Sequence, residues 1–381
     1  QARASLVANQ PGPMAGAISR WEALAGSPSF SFADYSGFLL TYPGFPDESR
    51  LRGYAEAKLQ NEFAPNERIV AFFDRFPPLG NPARAQYALA LMGQRPAEAA
   101  SVAREAWRGG QMSDTASATI LASFGTSFTA EDHDARMDAL LWQRDRAGAE
   151  RQLAWTSPDA RAVFTARLAI LQGGDGYISD GRALSDPGYL YNRSRELRLE
   201  GSPQDAVSLL SQRPALSKLP FDPTLWVSEQ LAVAKLGSAR AAQAIAARID
   251  EAFLPGTDVS QLGYKLRDDY TSLMWLGGTR SLWELGDAAG AAPLFYRYGT
   301  AARTPQTRSK GFYWAGYAAA RAGDAAGAQR YYEAAAQYAD RFYGLLALKE
   351  LGRPVPVFPA GPEGAPTEAE RNAFYAMPIT A

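Results

Sequence analysis

The hexapeptide Gly-Asp-Ala-Ala-Gly-Ala occupies residues 286–291 and recurs, letter for letter, at residues 323–328. An aromatic side chain, Phe295 or Tyr332, follows the last alanine of each copy by four positions. A glycine in the left-handed conformation ends a helix, and a small alanine lets the next helix approach closely. The repeat therefore predicts two helix-turn-helix units, in which the aromatic ring fills the seam between the paired helices.

The rest of the chain carries the same pattern at lower fidelity. Weaker copies of the hexapeptide begin at Gly201 and Gly93, and segments of helical length with apolar residues at spacings of 3 and 4 fill most of the sequence. Pairs such as Thr304-Pro305 are typical of a helix start. Alternating patterns typical of strands are nearly absent. We therefore expect an all-α fold, a curved solenoid of tetratricopeptide-like helix pairs with a concave binding wall.

The composition excludes several classes of chemistry. The 381 residues include no cysteine and one histidine, and 39 basic side chains oppose 40 acidic ones for a net charge of -1. Disulfides, thiol nucleophiles and cysteine metal sites are therefore excluded, and we predict no metal site. Charge balance argues against a nucleic-acid groove, and no apolar run is long enough for a transmembrane segment. Gln1 in place of Met fits removal of a secretion signal, and equally fits a shortened chain.

The character of the sequence changes near its end. Residues 353–366 contain five prolines and two glycines, which predicts an extended linker rather than a helix. A short helical segment follows. We expect a helical domain over residues 1–352, a linker over 353–366, and the truncated start of a further domain over 367–381.

Several stretches together resemble the soluble lytic murein transglycosylases of Gram-negative bacteria. The resemblance extends over about residues 35–352 and is densest after residue 270. It is carried by the order and spacing of residues 38–46, 93–107, 272–278, 304–310, 313–316 and 341–347. It implies a periplasmic protein whose helices form a superhelical ring ahead of a lysozyme-like catalytic domain.

The resemblance also implies an activity for the parent enzyme. Members of the family cleave the β-1,4 bond between N-acetylmuramic acid and N-acetylglucosamine without water, forming a 1,6-anhydro end, and need no cofactor. Their catalytic Glu-Ser pair and its supporting segments are absent as a set. Glu48-Ser49 is a Glu-Ser pair, but its polar neighbours indicate the first turn of a helix. We therefore expect no catalytic residue in this chain and no activity of the chain alone.

The resemblance implies a supporting role for these helices. They would orient the catalytic domain and guide glycan strands, and cell-wall synthesis or division proteins are further possible partners. A different interpretation stays open, in which a tetratricopeptide-like scaffold binds protein partners and has no glycan role. Loss of the catalytic domain by shortening or proteolysis of a longer chain is a third.

Two acidic clusters are candidate sites. Residues 131–134 surround the single histidine, His133, and a metal-binding helix face could be drawn there. Their position after Thr129-Ala130 favours a solvated helix start instead. Asp268 and Asp269 precede the best-matching helix, so they are candidate glycan or interdomain contacts, although such a pair more often faces water.

The aromatic residues allow two interpretations, because rings can stack on sugars or fill helix seams. Trp107 and Trp142 have polar neighbours, so we expect them to reach the surface as candidate glycan contacts. Tyr343 precedes the linker and is the preferred interdomain contact. Apolar neighbours at helical spacing assign three further tryptophans to the core: Trp275, Trp283 and Trp314.

Overall fold

A computed structural model describes residues 13–358 and 364–377, and all regular structure within those ranges is helical. The all-α prediction is therefore confirmed. The first eight helices are α1 Pro13–Gly26, α2 Phe32–Thr41, α3 Glu48–Lys58, α4 Asn66–Arg75, α5 Asn81–Leu91, α6 Pro96–Arg108, α7 Asp114–Phe124 and α8 Ala130–Trp142. The next six are α9 Arg146–Gln152, α10 Pro158–Leu171, α11 Pro187–Leu199, α12 Pro203–Gln212, α13 Pro223–Leu236 and α14 Ala239–Ala247. The last six are α15 Tyr264–Thr279, α16 Ala288–Ala301, α17 Pro305–Arg321, α18 Ala325–Ala336, α19 Phe342–Glu350 and α20 Glu368–Tyr375.

The chain divides into two structural units. The first unit contains α1–α8, Ala154–Ser157 and α20, and the second contains Arg144–Leu153 and Pro158–Phe358. Within the second unit, consecutive helices from α15 to α19 pack against one another. The curvature of the array, its closure into a ring and the domain boundaries at residues 352 and 366 stay predictions.

Four positions of the repeated hexapeptide have a clear structural role. Gly286 adopts a left-handed backbone with φ 69° and ends the preceding helical segment, as predicted. Asp287 then caps α16, because its carboxylate accepts a hydrogen bond from the Gly290 backbone N–H at 2.9 Å. Ala291 and Phe295 are fully buried, as the spacing predicted. Residues 323–328 repeat this arrangement, with φ 81° at the first glycine and the same cap by the following aspartate.

The first helical unit of the repeat contains a feature that its spacing did not predict. Between α15 and the hexapeptide, Arg280–Glu284 forms a π-helical turn. Successive residues of this turn point in different directions, so Leu282 is buried while Trp283 is 53% exposed. The prediction that Trp283 lies in the core is therefore wrong. Trp275 and Trp314 are half-buried and pack against the core of this region.

Alanine-rich helices give the first unit closely packed cores. Ala85, Ala88, Ala103 and Ala106 are all essentially inaccessible, and they pack together with Trp107. A larger cluster is formed by phenylalanine, tyrosine and leucine side chains of α1–α5. Burial of each large apolar side chain contributes roughly 1.5–3 kcal/mol, which gives this cysteine-free chain its stability.

Two glycines allow a close crossing of α16 and α17. A Cβ atom at Gly311 would lie 2.5 Å from the backbone nitrogen of Gly299 and 2.6 Å from its Cα. Neither contact can be relieved by rotating a side chain, because the neighbouring atoms belong to backbone. The crossing therefore requires glycine at position 311.

We expect Gly311→Ala to lower the free energy of unfolding, because α16 and α17 must separate to admit the added methyl group. Overpacking of this kind costs about 1–3 kcal/mol, and we expect a value near the upper limit. Urea unfolding followed by circular dichroism measures the change. Gly53→Ala is the matched control, because this exposed glycine in α3 has no neighbouring heavy atom within 4 Å of an added Cβ. It should stabilise the chain by about 0.5–1 kcal/mol. Equal stability of Gly311→Ala and the wild type would contradict the close crossing.

After α19 the described chain has no regular structure over residues 353–358 and 364–367. A capping box between Thr367 and Glu370 then starts α20. The remainder of the expected linker, residues 359–363, and the interpretation of Gln1 lie outside the described residues. None of the described helices combines the length and apolar character needed to span a membrane.

Candidate functional site

A cleft in the second unit combines aromatic rings with charged side chains. It has a volume of about 400 Å³ and lies among α15, the end of α16 and the start of α17. We call it the aromatic cleft, and define it by Tyr264, Arg267, Asp268, Trp275, Tyr298 and Arg303.

The cleft face of α15 follows from helical geometry. Tyr264, Asp268, Thr271 and Trp275 succeed one another at spacings of 4, 3 and 4, so they lie on one stripe of the helix. Apolar side chains of the opposite stripe, including Leu273, are buried in the core. The amphipathic sequence of α15 thus turns one stripe inward and leaves the other at the cleft.

The rings of the cleft are held from behind by other aromatic side chains. The Trp275 ring centroid lies 5.1 Å from that of Tyr298 and 5.3 Å from that of Phe295. Such contacts restrict the rotamers of Trp275 and Tyr298. Burial, followed by the nearby Tyr343 hydroxyl, raises the pKa of Tyr298, so its hydroxyl stays protonated at neutral pH.

The charged groups of the cleft are sparsely paired. Arg303 Nε and Arg267 Nη1 both donate to the Ser260 carbonyl, at 2.7 and 3.3 Å. Asp268 is exposed, and its carboxylate has no ion pair among the residues that the structure describes. Several donors and one carboxylate therefore remain open to a ligand.

A larger neighbouring cavity of about 500 Å³ lacks this property. Tyr270 and Arg297 donate to the two carboxylate oxygens of Asp250, at 2.6 and 3.0 Å. Arg213 and Arg248 likewise pair with Glu251 at 2.7 and 2.8 Å. Because these charges satisfy one another, the aromatic cleft is the stronger candidate site.

The structure separates the sequence-predicted pair Asp268 and Asp269. Asp268 lies in the aromatic cleft, as a candidate contact should. Asp269 is buried on another side of α15, where Ser228 Oγ and Lys265 Nζ donate to its carboxylate. Successive residues of a helix point about 100° apart, so one carboxylate meets solvent while its neighbour holds helices together.

Trp107 and Trp142 do not reach the surface, so that expectation is wrong for both. Both side chains are buried in the first unit. Gln143, the polar residue that suggested exposure of Trp142, instead donates from Nε2 to the Gly109 carbonyl at 2.9 Å. A polar residue next to a tryptophan in the sequence can flank an exposed ring or can bond to a loop that covers a buried ring. The sequence alone does not distinguish the two cases.

The histidine cluster begins α8, as predicted, with Thr129 and Asp132 forming a capping box. The expectation of a solvated start holds for Glu131, which is exposed, and is wrong for Asp132 and His133, which are buried. Burial is the main cause that lowers the pKa of His133, which favours the neutral imidazole between the Trp107 and Trp155 rings. Within the described residues no group of three His, Asp or Glu side chains is arranged to hold a metal ion.

Two further sequence candidates lie outside the aromatic cleft. Glu48 is in the first turn of α3, as predicted, and accepts a hydrogen bond from the Gly44 backbone N–H at 3.1 Å. Tyr343 is half-buried, with ring contacts to Tyr313 at 5.6 Å and to the exposed Phe342 at 5.1 Å. Its role as an interdomain contact stays a prediction.

Four members of the site were not predicted from the sequence: Tyr264, Arg267, Tyr298 and Arg303. Trp275 was assigned to the core instead. The stripe of residues 264, 268, 271 and 275 is a signal that could have identified the α15 side. No comparable signal marks Tyr298 and Arg303, because they reach the cleft only through packing of another helix.

No protein-family model matches the chain, and no curated protein matches it. Solved structures do match, among them the 70 kDa soluble lytic transglycosylase from Escherichia coli and the complex of the 70-kDa soluble lytic transglycosylase with bulgecin A. Each is 16% identical with a TM-score of 0.39, and the match covers 93% of this chain. It covers 55% and 56% of those chains, so this chain spans about half their length. No residue role in this chain follows from a similarity at this level.

Proposed function

We propose that the chain is the helical region of a periplasmic lytic transglycosylase and that it binds and guides the glycan strands of peptidoglycan. The sequence resemblance over about residues 35–352 supports the family, and the aromatic cleft supports the ligand. The cleft is the observation that carries the proposal. Rings provide apolar faces for sugar rings, while Arg267, Asp268 and Arg303 offer donors and an acceptor for hydroxyl and amide groups.

The proposed role is binding and orientation rather than bond cleavage. In the parent enzyme a catalytic domain beyond this chain would cleave the glycan, and the helices would present the strand to it. Consistent with this division, Glu48 occupies a helix-starting position rather than the aromatic cleft.

Co-sedimentation with purified peptidoglycan tests the proposal. We expect the wild-type chain to be retained, and Tyr264→Ala to weaken retention about fivefold, equivalent to roughly 1 kcal/mol for one ring contact. Tyr264 is 75% exposed, so its truncation should leave the fold intact. Tyr177→Ala is the matched control, since that ring is 71% exposed in the same unit and does not line the cleft.

Two outcomes would contradict the proposal. Absence of wild-type retention, with discrete protein partners captured instead, would favour the protein-binding scaffold. Release of anhydromuropeptides by the chain alone would contradict its assignment as a non-catalytic region.

A further inference from the structure

The aromatic cleft carries a local excess of positive charge that the chain as a whole does not. Two arginines line it against a single carboxylate, that of Asp268, while the whole chain has a net charge of -1. Other arginines of the second unit, such as Arg198 and Arg297, pair with carboxylates. The cleft therefore differs in charge from the chain as a whole.

A third cation, Lys310, contacts two rings of the cleft without lining the cleft itself. The Lys310 ammonium is 3.5 Å from the centroid of the Trp275 ring and 5.5 Å from that of Tyr298. Lys310 is half-buried on α17 and has no ion pair among the described residues. Cation–π attraction offsets part of the cost of burying its charge, and burial lowers its pKa. A half-buried ammonium without a counter-ion is favourable to an arriving anion.

The arginines also retain unused donors. Arg303 gives only its Nε–H to an acceptor among the described residues, so both of its terminal nitrogens are available. A guanidinium presents these donors in a planar fork that matches the two oxygens of a carboxylate. The cleft thus combines positive charge and N–H donors that suit a carboxylate with aromatic rings that suit a sugar.

We infer that the aromatic cleft recognises a carboxylate-bearing saccharide, with the negative charge received by Arg303 and attracted by the Lys310 ammonium on the Trp275 ring. This inference deepens the proposed function, on which it rests, by naming the chemical group of the glycan strand that is recognised. In peptidoglycan the carboxylate can come from the lactyl group of a peptide-free muramic acid or from a peptide stem. A polymer of N-acetylglucosamine alone carries neither.

Calorimetric titration of the full chain with three probes tests the inference. The probes are peptide-bearing glycan strands, strands stripped of peptide that retain lactyl carboxylates, and the neutral hexamer of N-acetylglucosamine. We expect the wild type to bind a carboxylate-bearing strand at least tenfold more tightly than the neutral hexamer, and added salt to reduce this preference. Tight binding of stripped strands would identify the lactyl carboxylate, and preference for peptide-bearing strands would identify the stem.

The variants separate charge from fold. Arg303→Gln and Lys310→Gln should each weaken binding of the carboxylate-bearing strand about tenfold, a much larger loss than either causes for the neutral hexamer, while Lys310→Arg, which keeps the charge, should retain most of the wild-type affinity. Arg240→Gln is the matched control, because Arg240 is exposed in the same unit and lines a different surface depression. Circular dichroism melting verifies that each variant folds.

Failure of the inference differs from failure of the proposed function. Equal affinity for neutral and carboxylate-bearing strands, or full affinity of both glutamine variants, would overturn the inference while glycan binding stands. Absence of binding to any of the three probes would overturn both.

Discussion

Replacing Trp107 by alanine is expected to lower the free energy of unfolding by about 3–5 kcal/mol. The ring is buried and lies 5.2 Å from the Phe128 ring and 5.8 Å from the His133 ring, by centroid distance. Arg136 stacks on it with its guanidinium carbon 4.0 Å from the centroid. Truncation therefore leaves a cavity beneath a buried cation that loses its stacking partner. Urea unfolding, followed by circular dichroism, measures the loss.

Two variants show whether the effect comes from burial. Trp107→Phe keeps a ring in the site and removes an indole N–H that has no hydrogen-bond partner, so its cost should be much smaller. Phe63→Ala removes a ring that is 94% exposed in the same unit, so its stability should stay within about 0.5 kcal/mol of the wild type. A Trp107→Ala chain of wild-type stability that had lost retention on peptidoglycan would instead restore Trp107 as a glycan contact.

Trp107 also shows which parts of the fold could be predicted from the sequence. The hexapeptide turn was predictable because Gly286, Ala291 and Phe295 determine it within ten residues. Burial of Trp107 was not, because the rings that cover it come from positions more than twenty residues later. Local spacing identifies the helices, but the neighbours of a ring depend on how those helices pack.

The residues of the aromatic cleft also differ in whether the sequence predicts them. Asp268 was identified because it leads into the best-matching helical stretch, whereas Tyr298 and Arg303 reach the cleft from the end of α16 and the residues after it. Their position depends on the close approach of α16 and α17 at Gly299 and Gly311. A pair of glycines twelve positions apart has no sequence signature that distinguishes a helix crossing from a flexible turn.

Arg198 and Glu229 form a paired charge that the sequence analysis did not identify. Arg198 donates from Nε and Nη2 to the two carboxylate oxygens of Glu229, at 3.0 and 2.7 Å. The carboxylate is almost completely buried, whereas the guanidinium is partly exposed. The two partners sit on α11 and α13, so the pair joins helices that are not consecutive in the chain.

Replacing Arg198 by leucine is expected to cost about 3–5 kcal/mol of unfolding free energy, because the buried Glu229 carboxylate loses its counter-ion. Glu229→Leu should cost less, since the partly exposed Arg198 can turn toward water. The double replacement removes both charges from the interface and should recover most of the loss. Chemical denaturation of all four chains gives the coupling energy between the two positions. Additive losses in the double variant would show that burial of an uncompensated carboxylate is not the cause.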